Sequence, residues 1–330
     1  MLTIVKLNLR SIENKSKYLE FCQGCENLPV FFEPWYLDAL VGQDNWNSAF
    51  VEHDGKVVGI WPYQVKSTMG INHLGFPLLT PYLGPWYTIP NSITKTVSKT
   101  KFRRNVLVDL FKQLPSVQVI QGQGHHKFSD WLALAWMGFR IQMRYSHIVN
   151  VSLPKNKLWD NLDAKQRNII RGAQDTLTVE RGEEAQIIFD LMKFSLKRKG
   201  LTDVFPKNFS IKALDAELDN HNKRRMFVAR NKTGEIVGGI YLVRDNLTEY
   251  LLLSGYQEGS SNSMGAIPLL IWHTLSNPIS KVTNFDFEGG NINSIGSFFQ
   301  SFGASPKPYA HFYRFSNKYV ELAFRALKSI

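Results

Sequence analysis

Apolar and polar residues alternate in two short stretches that resemble each other. Residues 48–60, SAFVEHDGKVVGI, and 225–240, RMFVARNKTGEIVGGI, each run through apolar–polar alternation into a Gly turn and out again through V-G. Alternation around Asp54-Gly55 and Thr233-Gly234 predicts two β-hairpins, with Val51 matching Val228 and Gly59 matching Gly238. A second match follows in the same order. VQVIQGQG (117–124) pairs with VTNFDFEGG (282–290). Each leads into a helical pattern ending at Gly138 beside Phe139 or at Gly303 beside Phe302, then into a strand carrying Tyr145-Ser-His147 or Tyr309-Ala-His311. The offset is about 165 residues at this second match and about 178 at the hairpins, a repeat with roughly 13 extra residues in its first copy. The segment 77–92, PLLTPYLGPWYTIPNS, holds the insertion.

Helical patterns fill the intervals. Residues 105–114 correspond to 266–275, and 32–40 is a short counterpart of 183–199. The latter opens on Glu183-Glu184 and closes on Lys197-Arg198-Lys199-Gly200, acid first and base last, as the helix dipole favours. The basic run is therefore a helix end rather than a nucleic-acid patch. Strands joined by crossover helices give a fold class of α/β (α+β): two tandem lobes, each a mixed, mostly antiparallel sheet flanked by helices. The expected division is 1–150, 151–315, and a C-terminal helix at 316–330 packing back on the lobes. Between the copies lie the helices KLWDNL and AKQRNIIRGAQ.

Composition narrows the picture. The 330 residues suit two domains, and 44% hydrophobic content gives each a core. The first residues lack the apolar run of a signal peptide, and no stretch approaches the ~20 apolar residues of a membrane span, so a cytoplasmic protein with no transmembrane segment is expected. The net charge of +11 is spread over both halves, 15 basic against 10 acidic residues in 1–150 and 24 against 18 in 151–330. That balance suits an anionic ligand such as a nucleotide diphosphate, coenzyme A, tRNA or a lipid head group, and equally an ordinary basic surface. Cys22 and Cys25, C-x-x-C in a polar stretch, are expected as two free thiols of a surface segment; with no second pair they do not close a zinc site, and no metal is expected. No nucleophile elbow, P-loop or H-E-x-x-H motif is present.

The ordered pieces FFEPWYLDAL, PYLGPWY, AKQRNIIRGA, YLLLSGYQEGSSNSMGAIPLLIW and FDFEGGNINSIGSFFQSFGA resemble, over nearly the whole chain, the FemAB-like tandem GNAT acyltransferases. That group includes BioF2-like acetyltransferase domains and the Fem aminoacyltransferases. The resemblance implies acyl transfer from acyl-CoA (acetyl-CoA as a co-substrate) to an amine or hydroxyl of an amino sugar or other cell-surface glycan precursor, as in polysaccharide biosynthesis. The partner would be a nucleotide-sugar or a glycan or peptidoglycan precursor, not DNA. Two alternatives stay open: an aminoacyl-tRNA-dependent transferase acting on a peptidoglycan-like precursor, and a catalytically silent GNAT-like binding protein. Leu40 stands where peptidoglycan Fem enzymes place a Lys, which points away from a peptidoglycan precursor, and Gln300 or a neighbour replaces their Lys near the final helix, which points away from an aminoacyl-tRNA donor.

The resemblance also implies sites. Ser263, Met264, Gly265 and Ala266, opening a helix, take the place of the family's pyrophosphate loop; the alternative is a plain helix cap at Ser263. Only the second lobe should bind a donor, because the insertion fills the equivalent slot of the first. Arg167 and Arg171, spaced i, i+4, share a helix face and match the helix that contacts a diphosphate in Fem enzymes, or else form a solvated face. Tyr82, Trp86 and Tyr87 could wall a sugar or acyl chain, or fill core. Transfer needs a base. Asp286 and Glu288, at i and i+2 of a strand, face one side; Glu288 is the favoured base, Asp286 its partner or a turn cap, and Tyr256 the acid for the leaving thiolate.

Overall fold

A computed structural model describes residues 2–201, 204–206, 209–257 and 265–328. The chain forms two compact units, residues 1–144 with 308–330, and residues 145–307.

The first unit opens with α1 (Leu2–Gly24) and α2 (Pro34–Val41), followed by strands β1 (Asn47–His53), β2 (Lys56–Thr68) and β3 (Ile71–Gly75). Asp54 and Gly55 both have positive φ, 50° and 72°, which is the two-residue turn that continues the right-handed twist of a hairpin. The insertion adds a two-residue strand, β4 (Trp86–Tyr87), on β2. Helix α3 (Thr96–Gln113), β5 (Val119–Gln123), α4 (Leu132–Trp136) and the start of β6 (Arg140–Asn150) complete the first copy. The sheet runs β1-β2-β3-β5, with β3 and β5 parallel through His73↔Val119 and Leu74↔Ile120. Trp61, Leu74, Leu107, Leu110, Leu134 and Phe312 make the core beneath α3 and α4.

The second unit holds α5 (Lys155–Asp160), α6 (Ala164–Gln174), β7 (Leu177–Arg181), α7 (Ala185–Arg198), α8 (Lys212–Asn220), β8 (Arg224–Asn231), β9 (Ile236–Arg244) and β10 (Thr248–Tyr256). Helix α9 (Ala266–Ser276), β11 (Asn284–Asp286), α10 (Asn293–Gln300) and the start of β12 (Ser305–Phe315) follow. Its sheet runs β6-β11-β10-β9-β8-β7, antiparallel except for β10 with β11. The β8–β9 turn is held by Asn231, whose Oδ1 accepts from the N–H groups of Thr233 (3.0 Å) and Glu235 (2.9 Å). The basic end of α7 is closed by Gly200 at φ 74°, a conformation that suits glycine. Asp163 caps α6 by accepting from Lys165 N–H at 2.8 Å.

The last strand of each sequence copy pairs outside that copy. Gly138 (φ 82°) and Gly303 (φ 77°) end equivalent helices in the left-handed region, and each starts an 11-residue strand. The end of β6 pairs with β11 in the second unit, Asp286↔Ile148, while the end of β12 pairs with β5 in the first, Tyr313↔Gln121. The two compact units change over at residues 144/145, within β6, and at 307/308, within β12. The last helix, α11 (Lys318–Lys328), belongs to the first unit, where Phe324 packs on His73 (5.2 Å) and Phe315 (6.0 Å).

Candidate active site

β10 and β11 run side by side only from Thr248↔Asn284 to Tyr250↔Asp286. Beyond that pair β10 continues to Tyr256, with a register shift against β9 between Leu251 and Leu253, while β11 ends. A parallel pair that parts in this way leaves one edge of β10 unpaired by β11, and backbone N–H and C=O groups at such an edge are available to a ligand.

Asp286 and Glu288 stand where the strands part. Asp286 is fully buried; its Oδ1 accepts from Ser146 Oγ, on β6, and from Glu288 N–H at 2.8 Å. Glu288 has φ 59°, left-handed and unusual for a residue with a side chain. Its Oε1 is buried and has no hydrogen-bond partner among the described residues. Burial, and then the adjacent Asp286 charge, push its carboxyl well above the usual range. β6 fixes this corner from the other side. The Nδ1 of His147 lies 2.8 Å from Gly289 O, His147 O accepts from Phe287 N–H at 3.0 Å, and Tyr145 N–H donates to Asn291 Oδ1 at 2.8 Å. Gly290 (φ 120°) is required beneath the imidazole, since a Cβ there would lie 2.3 Å from His147 Nδ1. Ser146 and His147 were not singled out from sequence as site residues: they sit in a different sequence copy from Asp286, and only strand exchange brings them together.

The other candidates are placed elsewhere. Tyr256 lies six residues along β10 from the Asp286 pair, about 20 Å at a strand's rise, under the Arg198 guanidinium at 4.3 Å. Ser263 and Met264 lie outside the described residues. Gly265 and Ala266 begin α9, with Ala266 fully buried; a Cβ on Gly265 would lie 2.8 Å from Ala173 Cβ, so this helix end is pressed onto α6.

Arg167 is engaged locally. Its guanidinium donates to the carbonyls of Leu162 (2.7 Å) and Asp160 (3.1 Å), closing the end of α5. Arg171 bonds Asn168 Oδ1 at 3.2 Å and covers the Trp159 ring at 5.3 Å. Tyr82 and Trp86 are core, at 0% and 1% exposure, and Tyr87 is also buried. Tyr82 meets Tyr309 and His125 edge-on at 5.3 and 4.9 Å, and Trp86 meets Phe32 at 5.4 Å. They present no wall to a sugar. Cys22 and Cys25 are free but half-buried against the same core, not in a surface segment, and burial raises both thiols.

In the first unit the corresponding parting of β3 and β5 is filled by the chain itself. Leu83 O accepts from Gln123 N–H at 3.2 Å, and Gly84 lies so close that a Cβ would meet Gln123 O at 2.8 Å.

Residues 160–293 match the acetyltransferase (GNAT) domain, so this stretch of the chain carries a GNAT-type N-acyltransferase domain. Among solved structures the fold is similar to FemX, at 12% identity and a TM-score of 0.57, covering 84% of this chain and 90% of that one. It is also similar to the C-terminal domain of a putative lysylphosphatidylglycerol synthetase from Agrobacterium fabrum, at 15% identity and TM-score 0.52, covering 94% and 95%. The L-PGS structure from Bacillus licheniformis matches at 14% identity and TM-score 0.50, covering 89% and 90%. No curated protein matches the chain. The fold is thus GNAT-like and similar to that of FemX.

Proposed function

We propose that the second unit is the catalytic one and transfers an acyl group from acyl-CoA to an amine or hydroxyl of an amino sugar or other cell-surface glycan precursor, in the cytoplasm. The observation that carries this reading is the parting of β10 and β11 beyond Tyr250↔Asp286, with Glu288 beside it, whose Oε1 has no hydrogen-bond partner among the described residues. The pantetheine arm would bond the open edge of β10, and the pyrophosphate would meet the start of α9 near Gly265 and Ala266. Glu288, when ionised, would take a proton from the acceptor as it attacks the thioester carbonyl; the carbon–sulfur bond then breaks and the thiolate leaves to be protonated. Asp286, held by Ser146, orients the Glu288 backbone. The first unit would bind no donor, because Leu83 and Gly84 occupy the equivalent gap.

A second reading is supported by the shared fold with FemX and with proteins named as lysylphosphatidylglycerol synthetases: an aminoacyl donor carried by tRNA, delivered to a peptidoglycan-like or lipid precursor. Thermal unfolding with coenzyme A separates them. Saturating coenzyme A at about 100 times its Kd should stabilise the protein by about 2.7 kcal/mol if the first reading holds. No shift with coenzyme A, together with a shift caused by aminoacyl-tRNA, selects the second.

A further inference from the structure

α11 turns one side to the first unit and leaves the other bare. Phe324 is 3% exposed, whereas Tyr319 is 84% and Leu322 59% exposed. Ala323, Ala326 and Leu327 are exposed with them, so the outward face is apolar over three turns. Beside this face lies a groove of about 520 Å³ lined by Arg140, Arg314, Lys318, Arg325 and Glu321. Glu321 is shared by Arg140 and Arg325. Arg314 lies over the Phe111 ring at 5.1 Å, and among the described residues neither it nor Lys318 pairs with a carboxylate. The groove therefore keeps an excess of positive charge at the border of an exposed apolar helix face.

We propose that α11 and this groove dock the first unit onto an anionic lipid surface, with Tyr319 and Leu322 entering the interface and the groove holding a phosphate-bearing head group. An apolar helix face bordered by cations is the pattern of interfacial helices, which combine burial of apolar area with attraction to anionic lipid. Charge selects this occupant over the others. A nucleic acid would satisfy the cations and leave Tyr319 and Leu322 in water. A second copy meeting through the same face would bring Arg314 and Lys318 against their own equivalents.

Co-sedimentation with vesicles tests this. The protein should pellet with vesicles of phosphatidylcholine mixed with phosphatidylglycerol and stay in solution with phosphatidylcholine alone. Lys318→Gln should weaken binding about fivefold, and Tyr319→Ser combined with Leu322→Ser should abolish it. All three positions are exposed, so both variants should unfold at the wild-type temperature. Equal binding to both vesicle types, or undiminished binding of the double variant, would overturn the proposal. So would a dimer that the double variant converts to monomer. Stabilisation by inorganic phosphate without vesicle binding would make the groove a site for free phosphate and likewise end the lipid reading.

Discussion

Asp286 and Glu288, two residues apart at the end of β11, are solvated by the protein in opposite ways. Asp286 Oδ1 takes hydrogen bonds from Ser146 Oγ and from Glu288 N–H, while Glu288 Oε1 is buried without one among the described residues. Burial beside a like charge disfavours the ionised form, so the carboxyl of Glu288 is held well above the usual range. Two carboxyls in one corner are thereby given different chemical character.

Glu288→Gln should lower kcat by about 10²- to 10⁴-fold, the usual worth of a positioned base, with the fold retained. In the wild type kcat/KM should rise with pH as Glu288 ionises. Stability should move the other way. A carboxyl whose folded pKa is raised contributes stability that is complete below its unfolded value, about 4.3, and is lost as pH rises through the folded value. Glu288→Gln should remove that loss. A variant with wild-type rates would take Glu288 out of the chemistry.

Arg167→Ala should act on stability rather than on turnover. The guanidinium satisfies the carbonyls of Asp160 and Leu162 at the end of α5, and charge-assisted bonds of this kind contribute about 1.5 to 3 kcal/mol. Urea unfolding should show a loss near the lower figure, since the side chain is partly solvated, and the acceptor's KM should stay within twofold. A KM raised tenfold or more would return Arg167 to the acceptor site.

The hairpins were legible in the sequence because their information is local. Asp54-Gly55 and Thr233-Gly234 lie within a few residues of every group they organise, and Gly138 and Gly303 mark equivalent helix ends. Strand exchange was not legible. Nothing in Tyr145-Ser-His147 distinguishes pairing with β11 from pairing with β5, because the alternation of a strand records which face is buried and not which neighbour it meets. The same limit hid Ser146 and His147 from the candidate site. The aromatic segment around Tyr82 and Trp86 fits a ligand wall and a core equally well by composition, and burial alone decided for core. Arg167 followed the same course, its i, i+4 spacing with Arg171 saying nothing of the carbonyls it reaches.

Gly255→Ala should destabilise the second unit by about 3 kcal/mol, because the new Cβ would lie 2.3 Å from backbone atoms of Leu191 and Met192 on α7, which cannot rotate away. Gly265→Trp should also unfold rather than selectively block a donor, since even a Cβ there presses on Ala173. Calorimetry that found either variant as stable as wild type would mean that α7 or α9 sits less tightly on its neighbours.

His311 offers a test of the first unit, and its sign can be separated from that of Glu288. Its Nδ1 is buried with no partner among the described residues, and burial together with Arg144 lowers the imidazole to about 4. His125, buried beside His126, is likewise held well below its ordinary value. A histidine kept neutral by the fold is protonated on unfolding once the pH drops below its unfolded value, about 6.5. Its contribution to stability is complete above that value and is lost as pH falls toward 4. Between about pH 6.5 and 5, unfolding should therefore take up protons at these two histidines, while the raised carboxyl of Glu288 acts in the opposite direction. The opposing groups partly cancel in the wild type. In a Glu288→Gln background the loss of stability on acidification should steepen, and adding His311→Phe should reduce proton uptake by about one per molecule. Unfolding free energies measured across that interval for the three proteins give the slopes directly. A slope unchanged by His311→Phe would mean that the imidazole is already protonated in the folded state.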